Sequence, residues 1–242
     1  MVILRAPRFV SYATLVVAIF PSISEDARAS AEDDPVLFMA VLDQFELRDA
    51  NDDNTFSWDG QGWFGQDLRK LWFKTEGERA GGSTNEAEFQ FLYSMAIARY
   101  WELQLGMRHD FEPSPSRSWA VIGVQGLAPY FFETDIALFV GDSGRTALRF
   151  ESEYELLLTQ RLILTPDIEV NFYGQDDVDI GIGSGLSDLE LGLRLRYEIR
   201  REFAPYIGVN WSKLFGKTKD FATIAGDSTS EAQLVIGLRA WF

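Results

Sequence analysis

Metal coordination is the chemistry the residue types allow most readily, because few other reactive groups are present. The chain has one histidine, His109, no cysteine, and three methionines beyond Met1, namely Met39, Met95 and Met107. Thioether sulfur and imidazole nitrogen are ligands for soft and borderline transition metals. Met107 and His109 stand two residues apart, so in an extended strand both project from one face and could hold one ion. Met39 and Met95 each offer a further thioether. Oxygen ligands are plentiful: 37 Asp and Glu against 22 Lys and Arg give a formal charge of −15. Two acidic clusters, Asp49, Asp52, Asp53 and Asn54, then Asp176, Asp177 and Asp179, lie in loop-like sequence. Neither has the spacing of a calcium loop, and solvated loop charge is the simpler reading.

The same inventory closes off most other chemistry. Without cysteine there is no disulfide, thiolate zinc site or thiol nucleophile. A Ser/His or Asp/His hydrolase would have to be built on His109, and its neighbour Asp110 points to the opposite face of a strand. Acidic pairs abound, but nothing specifies a carboxylate-pair hydrolase. No enzyme is predicted. The acidic balance repels phosphate backbones, so nucleic acid is not an expected partner.

What must position these residues is a set of long strands. From Asp188 to Arg200 the odd positions read Leu189, Leu191, Leu193, Leu195, Tyr197 and Ile199, while Glu190, Arg194, Arg196 and Glu198 alternate with them. On a helix those leucines would wind around every face. Arg145–Leu157, Arg161–Tyr173 and Glu86–Ala98 alternate in the same way. Strands this long, charged on one face and apolar on the other, match membrane-spanning β-strands. A soluble barrel with an apolar interior is the competing arrangement; it would be too wide for side chains to fill. The expected fold is all-β: a transmembrane antiparallel up-and-down β-barrel of about twelve strands.

The strands are expected near 36–48, 55–62, 68–78, 86–98, 101–110, 117–126, 130–140, 145–157, 161–173, 186–199, 204–215 and 230–242. Glycines make 55–62 the poorest strand, and ten strands is the alternative count. Long connectors (Arg79–Asn85, Phe111–Ser116, Gly174–Gly185, Gly216–Thr229) alternate with short ones, the pattern of external loops and periplasmic turns. Alternation turns Glu46, Glu76, Glu86, Glu88, Glu102, Asp110, Glu133, Asp135, Glu151, Glu153, Glu155, Asp167, Glu169, Asp188, Glu190 and Glu198 inward. Arg48, Lys70, Lys74, Arg108, Arg149, Arg161, Arg194, Arg196 and Arg239 face the same way. Buried charges need partners, so ion-pair networks that rigidify the barrel are expected, in an interior that prefers cations to anions. Met107 and His109 share a face with Trp101, Leu103 and Leu105, which makes it the lipid side.

Arg5 and Arg8 precede an apolar run from Phe9 to Phe20, then Pro21 and small residues. This is the order of a secretory signal peptide over residues 1–29, with cleavage after Ser24 or Ala29. Residues 30–35 form a short acidic periplasmic lead-in, and the barrel occupies 36–242. The last residues, Leu238-Arg239-Ala240-Trp241-Phe242, have the alternating, aromatic-ended form read by the barrel assembly machinery. Outer-membrane lipid and that machinery are the expected partners, and the bacterial outer membrane the expected location.

Several ordered segments carry a resemblance to a known family. They include Trp58-Asp59-Gly60-Gln61-Gly62-Trp63, Leu71-Trp72-Phe73-Lys74-Thr75-Glu76-Gly77, Arg99-Tyr100-Trp101-Glu102-Leu103-Gln104 and Gly126-Leu127-Ala128-Pro129-Tyr130, with a long run from Gly192 to Val209. Together they resemble the copper resistance protein B family of the bacterial outer membrane, from about residue 36 to the C-terminus. The resemblance implies a barrel that binds copper or lets it cross the outer membrane, and a periplasmic copper protein as a partner. It makes Met39, Met95, Met107 and His109 candidate copper ligands. Many members of the family carry a Met- and His-rich segment before the barrel. Here Ser24 to Pro35 contains neither residue and is acidic instead. The alternative is a structural or general barrel that has lost copper handling.

Overall fold

The computed structural model describes residues 34–49 and 54–242. The predicted signal peptide, most of the lead-in, and Asp52 and Asp53 lie outside the described residues. Thirteen strand segments form one antiparallel sheet that closes on itself. The chain runs up and down through β1 (Leu37–Asp49), β2 (Asn54–Gln66), β3 (Arg69–Ala80), β4 (Ser83–Ala98), β5 (Trp101–Glu112) and β6 (Arg117–Ala128). It continues through β7 (Phe132–Gly141), β8 (Thr146–Glu153), β9 (Leu156–Leu157), β10 (Leu162–Tyr173), β11 (Gly185–Tyr197) and β12 (Phe203–Leu214). A helix, α1 (Gly216–Ala225), precedes β13 (Ser230–Trp241).

β8 and β9 are one stave. Both pair with β10 in a single register, interrupted at Tyr154 and Glu155. The cause is Pro166, which lies opposite the gap. Tyr154 N–H donates to the Pro166 carbonyl at 3.1 Å, but proline has no N–H with which to return the bond. The barrel therefore has twelve staves, and the ten-strand alternative falls.

Strand β2 is longer than its glycines suggested. It spans 13 residues, with Gly60, Gly62 and Gly65 paired to β1 on one side and β3 on the other. The expected long connector at Arg79–Asn85 is also absent: β3 runs on to Ala80 and β4 starts at Ser83, so only Gly81 and Gly82 turn the chain, both at positive φ. Strand pairing there continues past the membrane, which needs only about 9–11 residues per tilted strand. Closure is made where β1 meets β13, and Ala40 and Phe242 exchange both backbone hydrogen bonds at 3.0 and 2.8 Å.

Alternation sorts the side chains as expected. Phe73, Phe89, Phe91, Leu105, Ile122, Leu138, Leu191, Ile207 and Leu234 stand exposed on the outside, where lipid replaces water. Glu46, Arg48, Glu88, Asp110, Arg149, Arg194 and Arg196 are buried within. The interior is not uniformly polar. Trp72, Leu92, Trp119, Val121 and Phe139 pack into a cluster on the wall formed by β3, β4, β6 and β7.

Candidate functional site: the charged lumen

The lumen is crossed by ion pairs rather than merely lined with charge. Arg149, on β8, reaches Glu88 on β4 (2.9 Å) and Glu76 on β3 (3.0 Å). Those strands lie four and five staves away round a twelve-stave wall, close to diametrically opposite. Lys74 on β3 pairs with Asp135 on β7, again four staves distant. Nearer the periplasmic end, Arg239 on β13 joins Asp43 at 2.9 Å and Glu155 at 3.0 Å, and Arg196 joins Glu155 at 2.6 Å. The break opposite Pro166 is what releases Glu155 from regular pairing to meet both arginines.

A second knot joins β1, β11 and β12. Arg194 forks onto both carboxylate oxygens of Glu46, at 3.1 and 3.0 Å, while Tyr206 donates its hydroxyl to the same group at 2.8 Å. Arg48 donates to Glu46 at 2.8 Å and lies 3.2 Å from Glu190. Such carboxylates tolerate burial because every lone pair is met by a charged or hydroxyl donor.

One cavity of about 900 Å³ runs from the turns at Asp67-Leu68 and Arg99-Tyr100 to these mid-barrel cross-links. Thirteen carboxylates line it against seven Lys and Arg side chains. Like charges also face each other in rows: Glu133 is paired with Glu153 and Glu153 with Asp167, while Asp135, Glu151, Glu169 and Glu190 form a second row. Carboxylates directly opposite on neighbouring strands repel one another. An acidic excess of this kind favours cations over anions.

The four sequence-predicted ligands are not brought into one site. Met107 (66% exposed) and His109 share the outer face of β5, opposite Phe91 and Phe89 of β4. His109 Nδ1 lies 2.8 Å from Ser118 Oγ, and its ring meets Phe111 edge-on at 4.7 Å. Met95 is on the same outer face of β4, paired with Leu103, which places it about four residues, or ~13 Å, along the barrel from Met107. Met39 sits on the inner side of β1 opposite Trp63. Asp110 points inward as expected and accepts from Arg108 at 2.6 Å and from Trp119 Nε1 at 2.8 Å. Among the described residues no group of three or more His, Asp or Glu side chains has the geometry of a metal cage.

Two of the residues assigned to the lumen lie elsewhere. Arg161 and Glu198 fall in adjoining turns just beyond β10 and β11, where Glu198 N–H donates to the Arg161 carbonyl at 2.8 Å.

The aspartates of the 174–184 loop are latches, a role that solvated loop charge did not anticipate. Asp177 pairs with Arg117 (2.9 Å) and Arg145 (3.3 Å), tying the loop after β10 to the starts of β6 and β8. The Arg117 hydrogen bond holds the Asp177 carboxyl below its ordinary range. Asp176 pairs with Lys217 of α1 and accepts from Ser184 N–H; these bonds bring its pKa down to about 2. Thr218, buried in α1, accepts from Gly183 N–H at 2.9 Å and lies 3.0 Å from Ser187 Oγ. No sequence spacing signals such a latch, because its partners come from four separate segments.

Comparison with known proteins agrees with this architecture. The family profile described as copper resistance protein B precursor (CopB) matches residues 36–242. Copper resistance protein B of Escherichia coli is 50% identical over 210 residues, covering 87% of this chain and 71% of that one. The copper resistance protein B homolog of Pseudomonas syringae pv. tomato (strain ATCC BAA-871 / DC3000) is 48% identical over 202 residues, 84% of this chain and 69% of the relative. Among solved structures, the NanC porin superposes with a TM-score of 0.55 at 13% identity, covering 84% of this chain and 99% of the porin, a likeness of fold alone. An outer-membrane porin fold, reached independently through the strand pattern, thus meets a profile that spans the whole barrel, and the chain belongs to the copper resistance protein B family of the bacterial outer membrane.

Proposed function

We propose that this barrel contributes to copper resistance by admitting copper ions to its acidic lumen and letting them cross the outer membrane. The observation that carries this reading is the cavity of about 900 Å³ with thirteen carboxylates against seven cationic groups. Carboxylate oxygen suits Cu(II), whereas Cu(I) prefers the thioether sulfur that this interior largely lacks. Passage requires sites favourable enough to enter and weak enough to leave, and rows of carboxylates without a cage meet that requirement. The acidic segment from Ser24 to Pro35, free of Met and His, fits conduction better than tight sequestration. A periplasmic copper protein is the natural recipient or donor at the inner mouth.

A subordinate site at the outer rim is part of the proposal. Met107 and His109 would hold one ion through Sδ and Nε2, since Nδ1 is engaged by Ser118. Met39 and Met95 would each offer a single thioether. The alternative, a structural barrel that no longer handles copper, draws on the ion-pair struts that brace the lumen. Titrating the refolded barrel in detergent with Cu(II) and Cu(I) separates these readings. Weak Cu(II) binding lost in Glu151→Gln/Glu169→Gln supports the lumen path. Stoichiometric binding lost in Met107→Ala/His109→Ala supports the rim site, and no binding of either ion sinks both.

A further inference from the structure

We infer that Arg149 sets the ion throughput and selectivity of the lumen, acting as a fixed cation in the path of the permeating one. This deepens the reading of the lumen as a cation path and rests on it.

The geometry is specific to this side chain. Its guanidinium is buried and projects from β8 across the barrel to Glu76 and Glu88. Glu169 and Glu151 also lie within 3.4 and 3.7 Å of it. Four carboxylates therefore converge on one guanidinium. Arg108 adds a second guanidinium to the cluster and meets Glu88 at 2.7 Å. Phe139 fixes the pair in place, with Arg108 4.8 Å and Arg149 5.8 Å from its ring centre. A face-on aromatic holds a guanidinium by its quadrupole and limits how far it can swing.

Two consequences follow from this placement. Arg149 physically bridges the lumen at the upper limit of the acidic cavity, so an ion has to pass beside it. Its charge also cancels part of the attraction that Glu76, Glu88, Glu151 and Glu169 exert on a cation. Glu88 would keep a partner without it, because Arg108 and the Gln90 amide at 2.8 Å remain.

The test uses potassium chloride alone, so it does not depend on copper. The mature barrel is reconstituted in planar bilayers, and unit conductance and reversal potential are measured across a salt gradient. Arg149→Gln is expected to raise conductance several-fold and to move the reversal potential toward the cation limit. Arg149→Lys keeps the charge but cannot fork to two carboxylates, so conductance rises while selectivity stays that of the wild type. Heat-modifiable migration on gels reports whether each variant is folded. A folded Arg149→Gln barrel with wild-type conductance and reversal potential overturns the inference. Should that variant fail to fold, Arg149→Lys decides, and wild-type conductance there overturns it equally. Potassium currents that respond as stated while copper fails to cross would uphold the role of Arg149 and end the copper reading.

Discussion

Arg194 and Glu46 are 148 positions apart in sequence, yet the arginine closes a two-pronged ion pair onto the glutamate, at 3.1 and 3.0 Å, inside the barrel wall. Tyr206 and Arg48 complete the shell around the same carboxylate. The knot spans β11, β12 and β1, and β13 lies between β12 and β1, so it braces the seam where the sheet closes. Removing the carboxylate takes the shared partner from two buried guanidiniums, leaving Arg48 with Glu190 and Arg194 with Asp167. Glu46→Ala is expected to destabilise the barrel by roughly 2–3 kcal/mol, less than a buried pair broken with no partner left, because each arginine keeps one carboxylate. Urea unfolding in detergent followed by tryptophan fluorescence measures it; a loss below about 1 kcal/mol would show the knot to be peripheral.

Gly77 predicts a second effect, on the outer surface. Trp58 of β2 lies directly opposite Gly77 of β3, and a Cβ at Gly77 would run into the indole ring. The indole thus covers a glycine that would otherwise leave the strand bare, which is one reason a glycine-containing pair of strands holds together. Gly77→Val should cost about 1–3 kcal/mol through overpacking. Combining it with Trp58→Ala should recover part of that loss, because the indole is gone while the Glu86 carbonyl, 2.6 Å from the added Cβ, remains. Additive losses in the double variant would contradict this account.

Much of the fold was readable because strand alternation is imposed by two unlike solvents, lipid and an aqueous lumen. The run of leucines from Leu189 to Leu195 gave an unambiguous face, and most staves follow from such alternation, β2 least of all. Glycines misled at β2 and at the β3–β4 turn, since propensity says little once both neighbouring strands supply partners. Facing direction was legible for Glu88 and Arg149, but their pairing was not, because alternation carries no information about which stave lies across the lumen. The ion pairs of Asp177 were hidden for the same reason: Arg117 is 60 residues away.

The external latch gives a pH dependence of definite sign. Asp176 and Asp177 both have carboxyl pKa values below the ordinary one, Asp176 at about 2. A group with a lowered pKa stabilises fully above its unfolded value and loses that contribution as pH falls through the lowered one. Protection of the 174–184 loop from protease or amide exchange should therefore be flat from pH 8 to about pH 5 and fall progressively from about pH 4 toward ~2. Arg117→Gln should loosen the loop at neutral pH without unfolding the barrel. Loosening of the wild-type loop near pH 6 would show that something other than these aspartates holds it.

Copper entry into sealed vesicles tests the central claim most directly. Vesicles containing the reconstituted barrel and an internal copper-sensitive dye are mixed with Cu(II), and the rate of dye response is compared with empty vesicles. The acidic lumen predicts fast entry, slowed by Glu151→Gln/Glu169→Gln and unaffected by an equal excess of external chloride. Entry no faster than in empty vesicles, from a barrel that is folded and passes potassium, would contradict the proposal.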